Sequence, residues 1–182
     1  MFSTESEIAG RAESSFCSTV ARLDELYQNH PDTPKVAAAY AKGLCNLTVV
    51  QGSKDCTATV ARLDTLYQSH PDSEDIVSAF VVCLLNVALH QKSESEIRNI
   101  LARSSAVLDR YPKNSNIQLF HAMIWFVLTL RQHEIDISAT AADIANFLHS
   151  NTGIIPKFKE ALDKYLSAHP DYAVWYQPLL YL

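Results

Sequence analysis

Three His-Pro-Asp tripeptides, at His30, His70 and His169, are the first candidates for chemistry in this sequence. Imidazole is a common metal ligand and a general base near neutral pH. The three tripeptides close copies of one repeated segment. Their rings would therefore stand one repeat apart, at about 10 Å or more by helix-packing distances, too far to share an ion. The other histidines, His90, His121, His133 and His149, show no HExxH or HxH spacing. The four cysteines, Cys17, Cys45, Cys56 and Cys83, include no CxxC or CxxH pair. They read as reduced, buried thiols acting as small hydrophobes. No GxSxG, P-loop or dinucleotide fingerprint occurs. The expectation is a chain with no catalytic residue, no metal site and no cofactor. Asn46 and Asn86 occupy one repeated position. A primary amide donates and accepts at once, as holding an extended peptide backbone requires. A neighbouring loop could equally satisfy it.

The elements that place these residues are written in a duplication. Residues 19–32 read TVARLDELYQNHPD and residues 59–72 read TVARLDTLYQSHPD, identical at 12 of 14 positions at an offset of 40. Weaker copies run from Ile100 to Pro112 and from Ala161 to Pro170. Val20, Leu23 and Tyr27, with Leu26 alongside, form an apolar stripe at helical spacing; Val60, Leu63, Leu66 and Tyr67 repeat it. Proline disfavours the helical conformation in the residue before it, so each helix should end near His30 or His70. Asp32 or Thr33, and Asp72 or Ser73, are placed to cap the next helix, and Pro34 suits a first helical position.

The following helix repeats as well. Its stripes are Val36, Tyr40, Leu44 and Leu47; Ile76, Phe80, Leu84 and Val87; and Ile117, His121, Trp125 and Leu128. Polar breaks follow at Gln51-Gly52-Ser53, Gln91-Lys92-Ser93 and Gln132-His133. The unit is thus helix, proline turn, helix and short loop. Short loops make neighbouring helices antiparallel. One pair cannot bury its own apolar faces, so pairs must stack. Further helices are expected over 136–150 and 156–168. The predicted fold is all-α: a short right-handed solenoid of eight or nine helices in a single domain, with units at about 16–52, 53–92, 93–132 and an irregular 133–182.

Composition agrees with that fold class. Of 182 residues, 48% are hydrophobic, enough for a core, and only 4 are glycine, too few for Gly-rich β-turns or phosphate loops. A net charge of -5 supplies no basic footprint, so no nucleic-acid partner is expected. The apolar run from Ile117 to Leu130 is too short to span a bilayer, and no membrane partner is expected. The N-terminal MFSTESEIAGRAESSF lacks a basic region followed by an apolar one, which reads as a cytoplasmic protein.

The pattern resembles a tetratricopeptide repeat. Leu23, Leu26 and Pro31, then Leu63, Leu66 and Pro71, match the end of that family's second helix. Tyr40-Ala41 with Leu44, Phe80-Val81 with Leu84, and His121-Ala122 with Trp125 follow its first helix. The likeness covers about residues 16–131 and extends to 154–182. The spacing of 40 exceeds the family's period of about 34 and approaches that of HEAT-type repeats.

The resemblance implies a non-enzymatic interaction module that binds a peptide or helix of a partner protein on its concave face. The first helix of each pair would line that face, which makes Lys42, Asn46, Asn86, Phe120, Met123 and Trp125 the partner-binding candidates. The basic clamp of some members does not carry over: its positions hold Lys42, Val82 and Met123, of which only the first is basic. Phe120, Met123 and Trp125 also lie in a run apolar on all sides, as a helix buried between neighbours would be.

Two rival readings have their own residues. Trp175, Tyr176, Leu180 and Tyr181 could join two copies into a homodimer, since a solenoid normally ends on a polar cap. A pocket near Trp125 and His121 could hold a small molecule. Finally, Arg22, Arg62 and Arg103 share one repeat position and Asp24, Asp64 and Asp163 another. They would form either a ladder of charge pairs between repeats or a set of solvated side chains.

Overall fold

The computed structural model describes residues 5–52, 56–91, 93–131 and 137–168, with 170 and 179 as isolated positions. The described residues form eight α-helices and no strand. They are α1 (Glu5–Asn29), α2 (Pro34–Gln51), α3 (Thr57–Ser69), α4 (Glu74–His90), α5 (Glu94–Arg110), α6 (Ser115–Arg131), α7 (Ile137–Ser150) and α8 (Ile155–Ala168), with a 3-10 turn at Thr152–Ile154 before α8. The all-α expectation holds. No described helix is long and apolar enough to cross a membrane. The chain divides into two compact units, Met1–Val87 and Ala88–Leu182.

One turn geometry ends four helices. The His30 N–H donates to the Leu26 carbonyl at 3.0 Å, and the Thr33 N–H donates back to the His30 carbonyl at 3.1 Å. His70 and Ser73 repeat this pair at 2.9 and 3.1 Å, and Tyr111 and Asn114 at 3.0 and 3.1 Å. His70 (φ -129°, ψ 57°) and Tyr111 (φ -126°, ψ 57°) share one backbone conformation, outside the helical well that a following proline forbids. Asn151 adopts it too (φ -131°, ψ 53°), with Thr152 in place of proline. The helix expected to end at 150 does end there, and the turn does not depend on proline. Thr33, rather than Asp32, takes the cap position, but its side chain makes no cap bond. Asn114 does cap: its Oδ1 accepts from the N–H groups of Asn116 and Ile117 at 3.1 and 3.2 Å. Of the third His-Pro-Asp turn, expected at the end of the fourth copy, His169 and Asp171 lie outside the described residues.

In the first unit, α2 packs on both α1 and α3. Tyr27 stacks on Tyr40, with centroids 5.5 Å apart, and Tyr67 stacks on Phe80 at 5.0 Å. The duplicated sequence thus makes the same aromatic contact twice, each time to the helix that follows its turn. Gly43 lets α1 close on α2: a Cβ there would stand 2.9 Å from Leu23 Cδ1. Leu44, Leu63, Ile76, Phe80 and Leu84 are fully buried.

In the second unit, α6 lies against α5, α7, the 3-10 turn and α8. That surrounding explains why its sequence is apolar on every side. Phe126 is wrapped by Phe158 and Tyr165 at 6.3 and 5.7 Å. The thiol expectation needs a correction. Cys45, Cys56 and Cys83 are buried, but Cys17 is exposed, because it lies on a face of α1 that solvent reaches.

Candidate functional site

The first unit carries a groove of about 350 Å³ between α2 and α4, lined by Lys42, Cys45, Asn46, Asp75, Ser78, Ala79 and Val82. Helical spacing puts Lys42, Cys45 and Asn46 on one side of α2, and Asp75, Ser78, Ala79 and Val82 on one side of α4. The floor is apolar: Cys45 and Ala79 are buried, and Val82 is half-buried. The rim is charged. Lys42 Nζ and Asp75 Oδ1 form an ion pair at 2.9 Å, with side chains 59% and 62% exposed. Burial pushes the Cys45 thiol up to about 11, so the sulfur in the groove is a neutral thiol at physiological pH and a poor nucleophile.

The predicted partner-binding residues fall into two sets. Lys42 and Asn46 line this groove and are exposed. Asn86, the repeat counterpart of Asn46, does not line it. Its Nδ2 donates to Thr48 Oγ1 at 3.2 Å, so helix α2 engages its donor. Phe120, Met123 and Trp125 all belong to α6 in the second unit. Met123 is buried, and Phe120 and Trp125 are half-buried. Trp125 packs on Phe147 at 6.3 Å and on His121 at 5.9 Å. The predicted oligomer contacts Trp175, Tyr176, Leu180 and Tyr181 lie outside the described residues. Leu179, beside them, is buried.

Sequence reasoning missed Asp75 and Ser78. The signal was present, since Asp75, Ser78 and Val82 recur at three- and four-residue spacing on α4, and Val82 alone was named from that stripe. Reading charges by repeat position hid the Lys42 and Asp75 pair, because Lys42 has the uncharged Val82 as its counterpart at an offset of 40 and Asp75 has Lys35, of opposite sign.

Polar side chains also join equivalent parts of the first unit. Asp24 Oδ2 on α1 meets Arg62 Nη1 on α3 at 3.6 Å, one rung of the expected charge ladder. The same carboxylate accepts the Tyr40 hydroxyl. Burial first, and this bond second, push Tyr40 up to about 12. The Tyr27 hydroxyl lies 3.2 Å from His70 Nε2. The histidine of the second His-Pro-Asp turn therefore meets a tyrosine of the preceding copy.

In the second unit, His121 stands where Tyr40 and Phe80 stand in the earlier copies, and Ser104 stands where Leu23 and Leu63 stand. Ser104 Oγ donates to the Leu101 carbonyl at 2.9 Å and lies 2.9 Å from His121 Nδ1. With its own proton on Leu101, the hydroxyl accepts from the imidazole. Burial pulls His121 down to about 4, partly offset by the charge of Asp109. The ring is thus neutral at pH 7. Both residues are buried, so this serine and histidine pair fills a core position and has no access to substrate.

Among the described residues, no group of three or more His, Cys, Asp or Glu side chains converges on a common point. Comparisons with protein-family models, with curated proteins and with solved structures found no match. The functional reading therefore rests on geometry.

Proposed function

We propose that this chain is a non-enzymatic helical-repeat interaction module, similar to tetratricopeptide repeats, that holds a segment of a partner protein in the groove between α2 and α4. The groove itself carries the reading. It joins an apolar floor to a rim that offers a cation, an anion and the exposed Asn46 amide. That combination suits an extended peptide or one side of a helix, whose apolar side chains fill the floor while its polar groups meet the rim.

The repeated turn and the repeated aromatic stack support a right-handed solenoid of helix pairs, because equal units joined in equal ways generate a superhelix. A preformed groove also keeps the ordering cost on the module's side small.

The test is affinity capture with the intact chain and with Lys42→Glu/Val82→Arg, which reverses the rim charge and blocks the floor at positions that are not fully buried. The expected outcome is a partner set captured by the parent chain and lost from the variant, with helical content unchanged by circular dichroism. Equal capture by both would remove the groove as the site.

A further inference from the structure

The duplication supplies a template for a second binding face. Helix α2 nests against α3 and α4 through two polar contacts. Gln51 Oε1 accepts from Thr59 Oγ1 on α3 at 3.1 Å, and Thr48 Oγ1 accepts from Asn86 Nδ2 on α4 at 3.2 Å. Around these contacts, Leu66 on α3 and Ala79 on α4 are buried. The positions equivalent to α3 and α4, one repeat earlier, belong to α1 and α2. There Thr19, Leu26, Ala39 and Asn46 take the places of Thr59, Leu66, Ala79 and Asn86, and all four are exposed. Leu26 is 43% exposed, and Phe16 and Val49 beside this face are 36% and 59% exposed. Large apolar side chains exposed together on one face mark a contact site.

We infer that the α1 and α2 face bearing Leu26 and Asn46 is a docking cleft for an amphipathic helix shaped like α2 itself. The contacts that hold α2 define the occupant. It runs antiparallel to α1, as α2 runs to α3. It carries a hydroxyl residue and a glutamine three positions apart, as Thr48 and Gln51 are, so that the hydroxyl meets Asn46 and the glutamine meets Thr19. An apolar stripe equivalent to Leu44 and Leu47 covers Leu26. Thr19 now donates to the Ser15 carbonyl at 3.0 Å, a bond local to its helix that an incoming acceptor can replace. This cleft shares Asn46 with the groove between α2 and α4, but its other wall is α1 where the groove's is α4, so residues of α1 and α4 test the two sites separately.

The probe is a capped, fluorescently labelled peptide of residues 34–52, the α2 sequence, titrated into the intact chain by anisotropy. The inference expects saturable binding that weakens at least about tenfold in Leu26→Glu, an exposed position that tolerates charge. It also expects weaker binding of a peptide in which Thr48 and Gln51 are both replaced by alanine. The single variant Val82→Arg, which blocks the groove from α4, should bind the peptide as the parent does, and this separates the cleft from the groove. Absence of saturable binding, or binding indifferent to Leu26→Glu, overturns the inference. A dimer by static light scattering that Leu26→Glu dissolves also overturns it, because the occupant would then be a second copy.

Discussion

Residues 19–32 and 59–72 are nearly the same sequence in the same conformation, yet they live in different surroundings. Both are helix followed by one turn, and both stack a tyrosine on the next helix. Leu66, however, is 2% exposed and Leu26 43%. Leu63 is fully buried and Leu23 half-buried; Thr59 is buried and Thr19 exposed. Local sequence therefore sets conformation here, while burial depends on whether a helix lies on the other side. Helix α3 has α2 before it and α4 after it. Equal residues acquire unequal energetic weight, as expected where stability is a sum of unit and neighbour terms.

The largest expected consequence is an asymmetry of truncation. Leu66→Ala should cost about 2–5 kcal/mol, the range for emptying a packed leucine site. Leu26→Ala should cost less than about 1 kcal/mol, since solvent already reaches that side chain. Urea melts of the two variants measure the difference directly. Equal losses would break the comparison, because they would mean that α1 is covered in solution as α3 is.

The second prediction extends the comparison to the third copy, where Ser104 and His121 replace the leucine and aromatic residues of the earlier ones. Burial lowers His121 from 6.5 to about 4, so the unfolded chain takes up the proton first. Above pH 6.5 neither state binds it, and the full contribution is present. As pH falls from 6.5 towards 4, stability is lost, by about 3 kcal/mol in all, and the loss levels off below pH 4. Restoring the earlier pattern with Ser104→Leu/His121→Phe should remove this part of the pH dependence. Carboxylates titrate in the same window, so the quantity to measure is the difference in slope between parent and variant. An unchanged slope would show that His121 is not held neutral by its surroundings.

Much of this was legible in the sequence, and the divide between what was and what was not follows the same rule. Helix ends near His30 and His70, the stop at Asn151 and the stripes of α2, α4 and α6 come from local restrictions on the backbone and from periodicity, which are properties of short segments. One charge-ladder rung, Asp24 with Arg62, was readable because repetition brings equivalent positions of adjacent copies together. The exposure of Cys17 and Leu26 was not readable, because it depends on which helix lies opposite. Asn46 and Asn86 looked alike for that reason. They differ because Asn86 has Thr48 across from it, whereas Asn46 is exposed. The Lys42 and Asp75 pair was missed because it crosses between copies at positions the repeat does not conserve.

A third prediction concerns the aromatic stack. Tyr40 and Phe80 occupy one repeat position and differ by a hydroxyl, which Tyr40 gives to Asp24. Tyr40→Phe should cost about 1–2 kcal/mol, because it leaves a partly buried carboxylate without that donor. Phe80→Tyr should also destabilise, by about 1–3 kcal/mol, through a hydroxyl forced into a fully packed site. If Phe80→Tyr proved neutral, the two copies would share a polar acceptor at this position, and the distinction between them would narrow.

The smallest effect is at the arginines. Arg22 and Arg62 are one repeat position, but Arg62 reaches back to Asp24 at 3.6 Å across two helices. Its side chain is 58% exposed, so solvent screens the pair, and Arg62→Ala should cost no more than about 1 kcal/mol. Arg22→Ala should cost less still. The two variants separate best at low ionic strength. In about 1 M salt the Debye length shrinks to about 3 Å, and the gap between them should close. A gap that survived high salt would mean that the aliphatic stem of Arg62 packs across the helices, and that its charge contributes little to joining the copies.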